Sequence, residues 1–161
     1  MNLVQERIYK INPAYLKDFD ELVKVHSQFG GGGTDEKFSR GKSFSNAYEF
    51  YIYAFFIGLY RDEKKEILDD DNTKTFWEIE NWKPRELTDY LIVCAIAESD
   101  FDMIMLEQMG EEDIKVQIKL LKNTIEGFAN AGLSYINNKL NKEPDLIDDD
   151  MFFINLLSDD Y

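Results

Sequence analysis

The chain has 161 residues, 44% of them apolar and 14% aromatic, which is enough to fill a core and excludes a disordered polymer. It carries 18 Lys plus Arg against 32 Asp plus Glu, a formal net charge of -14, and the imbalance deepens from -4 over residues 1–80 to -10 over 81–161. Such a surface repels phosphate backbones and anionic lipid, which argues against direct nucleic-acid or membrane binding; it is read first as a solubilising surface, with an acidic face that meets a basic partner or mimics nucleic acid as the alternative.

Cys94 is the one cysteine, so no intrachain disulfide forms and a reducing compartment is expected. The first residues lack a basic segment followed by an apolar one, and no apolar run reaches membrane-spanning length. These features together predict a cytoplasmic protein built as one domain over 1–161.

A first helix is expected to start at Asn12, with Pro13 at its first position. Tyr15, Leu16, Phe19, Leu22, Val23 and His26 then recur at helical spacing. It should end before Gly30–Gly33, a glycine run read as a hinge. That run has neither the GxxxxGK[ST] nor the GxGxxG spacing of a phosphate loop. Just beyond it, Lys37, Arg40 and Lys42 surround Phe38 and approach Phe44, a small basic and aromatic patch of the kind that grips a nucleic-acid strand. Three cations weigh little against the overall charge.

Residues 47–60, AYEFYIYAFFIGLY, are apolar almost all round, and their length favours a helix over a strand. Ser43 or Ser45 is the expected cap, and Gly58 permits close approach of a neighbour. This segment is expected to be the central helix. Residues 61–82 are charged and then mixed, suiting a short strand or a single helical turn. Asp69, Asp71, Thr73, Thr75 and Glu80 fall at calcium-loop spacing, but Lys74 stands where that loop needs glycine.

Pro84 opens a third helix with a stripe of Leu87, Tyr90, Leu91, Val93, Cys94, Ile96 and Ala97, expected to face inward with Cys94 a buried thiol. A short helix over 101–109 should end at Gly110 in the left-handed conformation. The last long helix is expected over 112–139, led by Glu111, Glu112 and Asp113. Asp148, Asp149 and Asp150 then cap a short helix inside the acidic C-terminal segment 143–161. The sum is an all-α fold, an irregular bundle of about five to six helices around the 47–60 helix.

No motif implies a cofactor, a metal or a catalytic residue. One His and one Cys cannot close a zinc site. Glu98, Asp100 and Asp102 lie at a helix junction, and an enzyme with a carboxylate site is one alternative function. A second is an acidic DNA mimic that occupies a basic groove.

The segments Phe44–Glu49 with Ala54 and Gly58–Leu59, 91–98 (LIVCAIAE) and 126–133 (EGFANAGL) resemble the small accessory proteins encoded beside bacterial DNA phosphorothioation (Dnd) systems. The likeness spans residues 43–136. Asn130 and Gly132 are poor helix formers inside a helix, so close contact with another helix or chain must justify them. The resemblance implies an accessory role in DNA modification or phage defence; together with the missing catalytic motifs and the acidic surface it leads to the expectation of a non-enzymatic protein that binds another protein, with homo-oligomerisation open. It implies no catalytic residues.

Overall fold

The computed structural model describes residues 2–27, 43–106 and 108–158. These residues are mostly helical. Seven α-helices run as α1 Leu3–Tyr9, α2 Asp20–His26, α3 Ala47–Tyr60, α4 Arg85–Ala97, α5 Met103–Leu106, α6 Glu111–Lys142 and α7 Phe152–Leu157. Short 3-10 turns occupy Lys17–Phe19, Ile79–Asn81 and Pro144–Asp148. Two three-residue strands, β1 Ala14–Leu16 and β2 Thr73–Thr75, make a small antiparallel ribbon, so the fold is not purely α. Ala14 pairs with Thr75, Tyr15 with Lys74 and Leu16 with Thr73.

The expected first helix is corrected by that ribbon. Asn12 and Pro13 lie outside any helix, residues 14–16 form β1, and the helix begins only after a 3-10 turn, at Asp20. A helix precedes it instead. Asn2 accepts a hydrogen bond from the Gln5 N–H, and the Gln5 side chain accepts one from the Asn2 N–H, a capping box at the start of α1.

α3 follows the sequence expectation over its 14 residues. Nine of them are buried, including Phe50, Tyr51, Ile52, Phe55 and Ile57. Asn46 precedes it without a side-chain capping bond, in place of Ser43 or Ser45; the Ser45 N–H donates to Glu49 instead. α3 packs most extensively against α6, and glycines set their separation. A Cβ on Gly132 would stand 1.8 Å from the Ala54 carbonyl oxygen, and one on Gly58 would stand 2.0 Å from that of Phe128. Each helix thus presses its backbone onto the other's glycine, four residues apart on both sides. Phe55 and Phe128 meet edge-to-face beside this crossing, their centroids 5.7 Å apart.

α6 is 32 residues long, longer than expected. Its run from Thr124 to Leu133 is wholly buried, whereas its first turns are exposed except at Ile114. Gly110 has φ -71 and stands as the residue before α6, not as a left-handed end to the preceding helix. The C-terminal α7 lays Phe152 and Leu156 into the core. Among the three acids before it, Asp149 bonds to the start of the helix: its carboxylate accepts from the Met151 N–H and its carbonyl from that of Phe152.

Candidate functional site

Asn130 and Gly132 prove to be internal. Asn130 is fully buried in α6, one turn after Glu126. Its Oδ1 accepts the Leu16 N–H at 2.8 Å, and its Nδ2 donates to the Ala14 carbonyl at 3.1 Å and to the Glu126 carbonyl at 2.8 Å. The Glu126 carboxylate accepts the Ala14 N–H at 2.7 Å. The Tyr51 hydroxyl, from α3, donates to the Ala14 carbonyl at 2.8 Å. Side chains of two helices thus replace a missing third strand, pairing the edge of β1 that β2 leaves open. Burial pushes the Glu126 carboxyl above its usual range, against the Ala14 N–H and Lys122, and pushes the Tyr51 phenol up with help from the Glu126 charge. This network holds the fold together and presents no group to solvent.

The ribbon's outer side carries a second polar knot. Asp20 takes hydrogen bonds from Lys74 at 2.7 Å and Tyr15 at 2.9 Å and pairs with Lys24 at 2.8 Å. Burial raises its carboxyl, but these three donors outweigh burial and hold it at about 2. His26 is also internal, with its ring 5.2 Å from Phe153 and 6.0 Å from Phe50. Phe44 stacks on Phe50 in the same cluster.

The carboxylates of the helix junction are partly gathered. Glu98 and Asp100 join Glu66 and Lys64 around an open cleft of about 450 Å³, floored by Thr124 and Gly127 of α6. Asp102 is elsewhere employed, accepting the N–H groups of Ile104 and Met105 at the start of α5. Lys64 lies over the Phe128 ring, and Ser99 is tied to the Ile96 carbonyl. Glu66, Glu98 and Asp100 are exposed to solvent in this open cleft.

A second cleft, about 430 Å³, lies between α1 and the start of α4. Its cations are engaged: Arg7 with Glu111, Lys10 with Glu78 and Glu80, and Arg85 with the Glu80 carbonyl and the face of Tyr9. Among the described residues no group of three or more His, Cys, Asp or Glu could hold a metal ion. Of the residues at calcium-loop spacing, Thr73 and Thr75 extend along β2, Asp71 accepts the Leu68 N–H, and Glu80 pairs with Lys10. Lys37, Arg40, Lys42 and the glycines at 30–33 lie outside the described residues.

The largest departure from the sequence reading concerns α4. Thr88, Leu91, Ile92 and Ala95 are its buried residues. Leu87, Tyr90 and Val93 face out, Tyr90 and Val93 with 60% and 61% of their surface exposed, and Cys94 is half-buried beside them. Apart from Leu91 and the partly buried Cys94 and Ile96, the stripe expected to face inward lies on the outer side. α4 is apolar on both faces, and periodicity alone could not tell which one the core would claim. Tyr90 stacks on Phe56 of α3 at 5.6 Å, and Tyr60, one turn further along α3, is also exposed. α5 continues the pattern, with Met103, Ile104 and Met105 exposed and Leu106 buried. The outward apolar side chains over 87–105 are the candidate functional surface.

Comparison with protein-family models, with curated proteins and with solved structures finds no match. Among the described residues no helix is long and apolar enough to cross a membrane.

Proposed function

We propose that this chain is a non-enzymatic, cytoplasmic accessory protein that works by binding another protein, in a bacterial DNA-modification or phage-defence system. One observation carries the binding role: six large apolar side chains between Leu87 and Met105 face solvent on α4 and α5. Scattered surface hydrophobes need no explanation, but a run of them on consecutive elements marks a contact surface. Methionines adapt to a partner's shape, which suits Met103 and Met105 to that use. The irregular bundle around α3 that we read here has its interior filled by aromatic rings, and the acids of its open cleft, Glu66, Glu98 and Asp100, sit in water. Both features favour binding over chemistry. The setting in DNA modification rests on the sequence likeness over 43–136.

The experiment is affinity capture from the native host with the wild-type chain and with Ile104→Asp. Ile104 is 80% exposed, so the change leaves the fold alone. Recovery of sulfur-modification or restriction proteins by the wild type, lost with the variant, is the expected result. Recovery of metabolic enzymes alone, or capture indifferent to the variant, defeats the reading.

A further inference from the structure

The small ribbon has one edge closed and one edge open. In an antiparallel pair, alternate residues turn their N–H and C=O toward the partner, and the residues between turn theirs away. The Lys17 N–H donates to the Asn72 carbonyl at 2.9 Å, and Tyr15 lies opposite Lys74. This phase aims Asn72 and Lys74 at β1 and turns the backbone groups of Thr73 and Thr75 outward. On β1 the same phase turns Ala14 and Leu16 toward α6, where Glu126, Asn130 and Tyr51 satisfy them. β2 has no such cover: the sheet ends with it, both threonines are exposed, and among the described residues no group bonds to their outward N–H and C=O.

A lysine often guards an edge of this kind, but Lys74 is held by Asp20 at 2.7 Å. Acids stand beside the edge instead. The Asp71 N–H donates to the Leu68 carbonyl, and its carboxylate accepts the Leu68 N–H, closing a turn with Asp69 and Asp70 exposed on it. The cations near the ribbon leave these acids in excess: Lys24 and Lys74 both pair with Asp20, and Lys17 adjoins Asp18. Beyond the strand, Phe76 turns inward onto Tyr51 and Trp82, and Trp77 turns out, 55% exposed. An indole face is the best aromatic seat for a cation. A second copy does not fit, because its acids would meet these acids, and pairing Thr73 with its Thr75 would set Lys74 against Lys74.

We propose that the open edge of β2 takes an extended basic segment of another protein as a third strand, paired through the backbone of Thr73 and Thr75. Main-chain bonds supply the attachment in this mode of recognition and side chains the choice of partner. A Lys or Arg of the segment lies over Trp77, and further cations face the 69–71 turn. This surface shares no residue with 87–105, so it is a second contact, and either can fail without the other.

The probe is a fluorescent Lys-Val-Lys-Val-Lys-Val peptide, with Glu-Val-Glu-Val-Glu-Val as its control, titrated into the full chain. Before it is added, the Tyr15 and Lys74 amides should exchange their hydrogens more slowly than those of Thr73 and Thr75; with it bound, the two threonine amides should become protected. Thr75→Pro removes an outward N–H and leaves the bonds to β1 in place, so it should weaken binding at least tenfold while the circular dichroism spectrum stays helical. Trp77→Ala, and Asp69→Lys with Asp70→Lys, should each weaken it several-fold without touching a ladder bond. The peptide should bind Ile104→Asp as it binds the wild type. The proposal is overturned by a peptide that leaves Thr73 and Thr75 unprotected, by a glutamate control that binds as well, or by binding that Thr75→Pro leaves intact. Protection of both threonines without peptide, at twice the mass of 18.9 kDa, overturns it in favour of self-pairing.

Discussion

Asn130 shows how one amide can anchor a strand. It makes three hydrogen bonds inside the core, and the Leu16 N–H has no other partner in that network. Asn130→Ala should cost about 2 kcal/mol or more, because a buried N–H left unpaired bears its full desolvation penalty. Urea unfolding measures this, and a loss under about 0.5 kcal/mol would mean that the ribbon is not held by this residue. Its neighbour Glu126 has a different signature. Burial raises its folded carboxyl above the ordinary value of 4.5, so the folded state penalises the charged form. The stability associated with the proton is fully present below pH 4.5 and is lost as pH rises through the raised value. Glu126→Gln keeps an oxygen for the Ala14 N–H and has no charge to bury. The variant should gain on the wild type as pH climbs from 4 to 7; a stability difference flat across that range counts against a buried charge. The sequence pointed at Asn130, since so poor a helix former inside a helix needs a reason. It did not point at Glu126, although an acid between Ile125 and Phe128, one turn before Asn130, was the available signal.

Elements were legible where their chemistry is one-sided. α3 could be read because it is apolar all round and must be buried whatever surrounds it. α4 could be bounded but not oriented, because both of its faces are apolar and the choice belongs to tertiary packing. β1 was hidden for another reason. Its three residues are all buried, so there is no alternation to detect, and its partners are distant in sequence: β2 on one edge, Glu126 and Asn130 of α6 on the other. α1 was legible in principle through Asn2 and Gln5. The α3–α6 crossing, foreshadowed by Gly58 and Gly132, gives a sharp test. Alanine normally improves a helix over glycine by about 1 kcal/mol. At Gly132 or Gly58 the added methyl strikes a backbone carbonyl that cannot swing aside, and each alanine should destabilise by about 2 kcal/mol or more despite that gain. At Gly127 the methyl meets only the Lys64 side chain, at an ordinary 3.5 Å. Gly127→Ala should therefore stabilise by ~0.5–1 kcal/mol. Thermal unfolding of the three variants decides the matter, and equal shifts for all of them would show that helix propensity, not the crossing, governs these sites.

At the scale of the whole molecule the dominant fact is charge. Thirty-two acids face eighteen bases, and folding draws them onto a smaller surface. Among the described residues the ion pairs are mostly solvated, as at Lys115–Glu112 and Arg61–Glu63, where each contributes little. The exception is Asp20, held at about 2 by Lys24, Lys74 and Tyr15 once burial is offset. Its contribution is present above the unfolded value of 3.8 and lost as pH falls through 2, so it supports the ribbon across the neutral range. Added salt acts on both terms with opposite signs. It screens the few favourable pairs, and it screens the repulsion among a net fourteen negative charges. Repulsion involves every acid with every other across the surface, whereas the favourable pairs are local. The balance therefore favours salt: the melting temperature should rise from low ionic strength to about 0.15 M, where the Debye length shortens to roughly 8 Å, and then level off. Potassium chloride suits the scan, since sulfate would also strengthen apolar burial and blur the reading. Lys74→Met separates the terms: it removes one donor to Asp20 and adds one unit of net negative charge, so its melting temperature should climb more steeply with salt than the wild type's. A melting temperature that falls as salt is added would mean that the local pairs outweigh the global field, and the surface would have to be reread as an ordered ion-pair network.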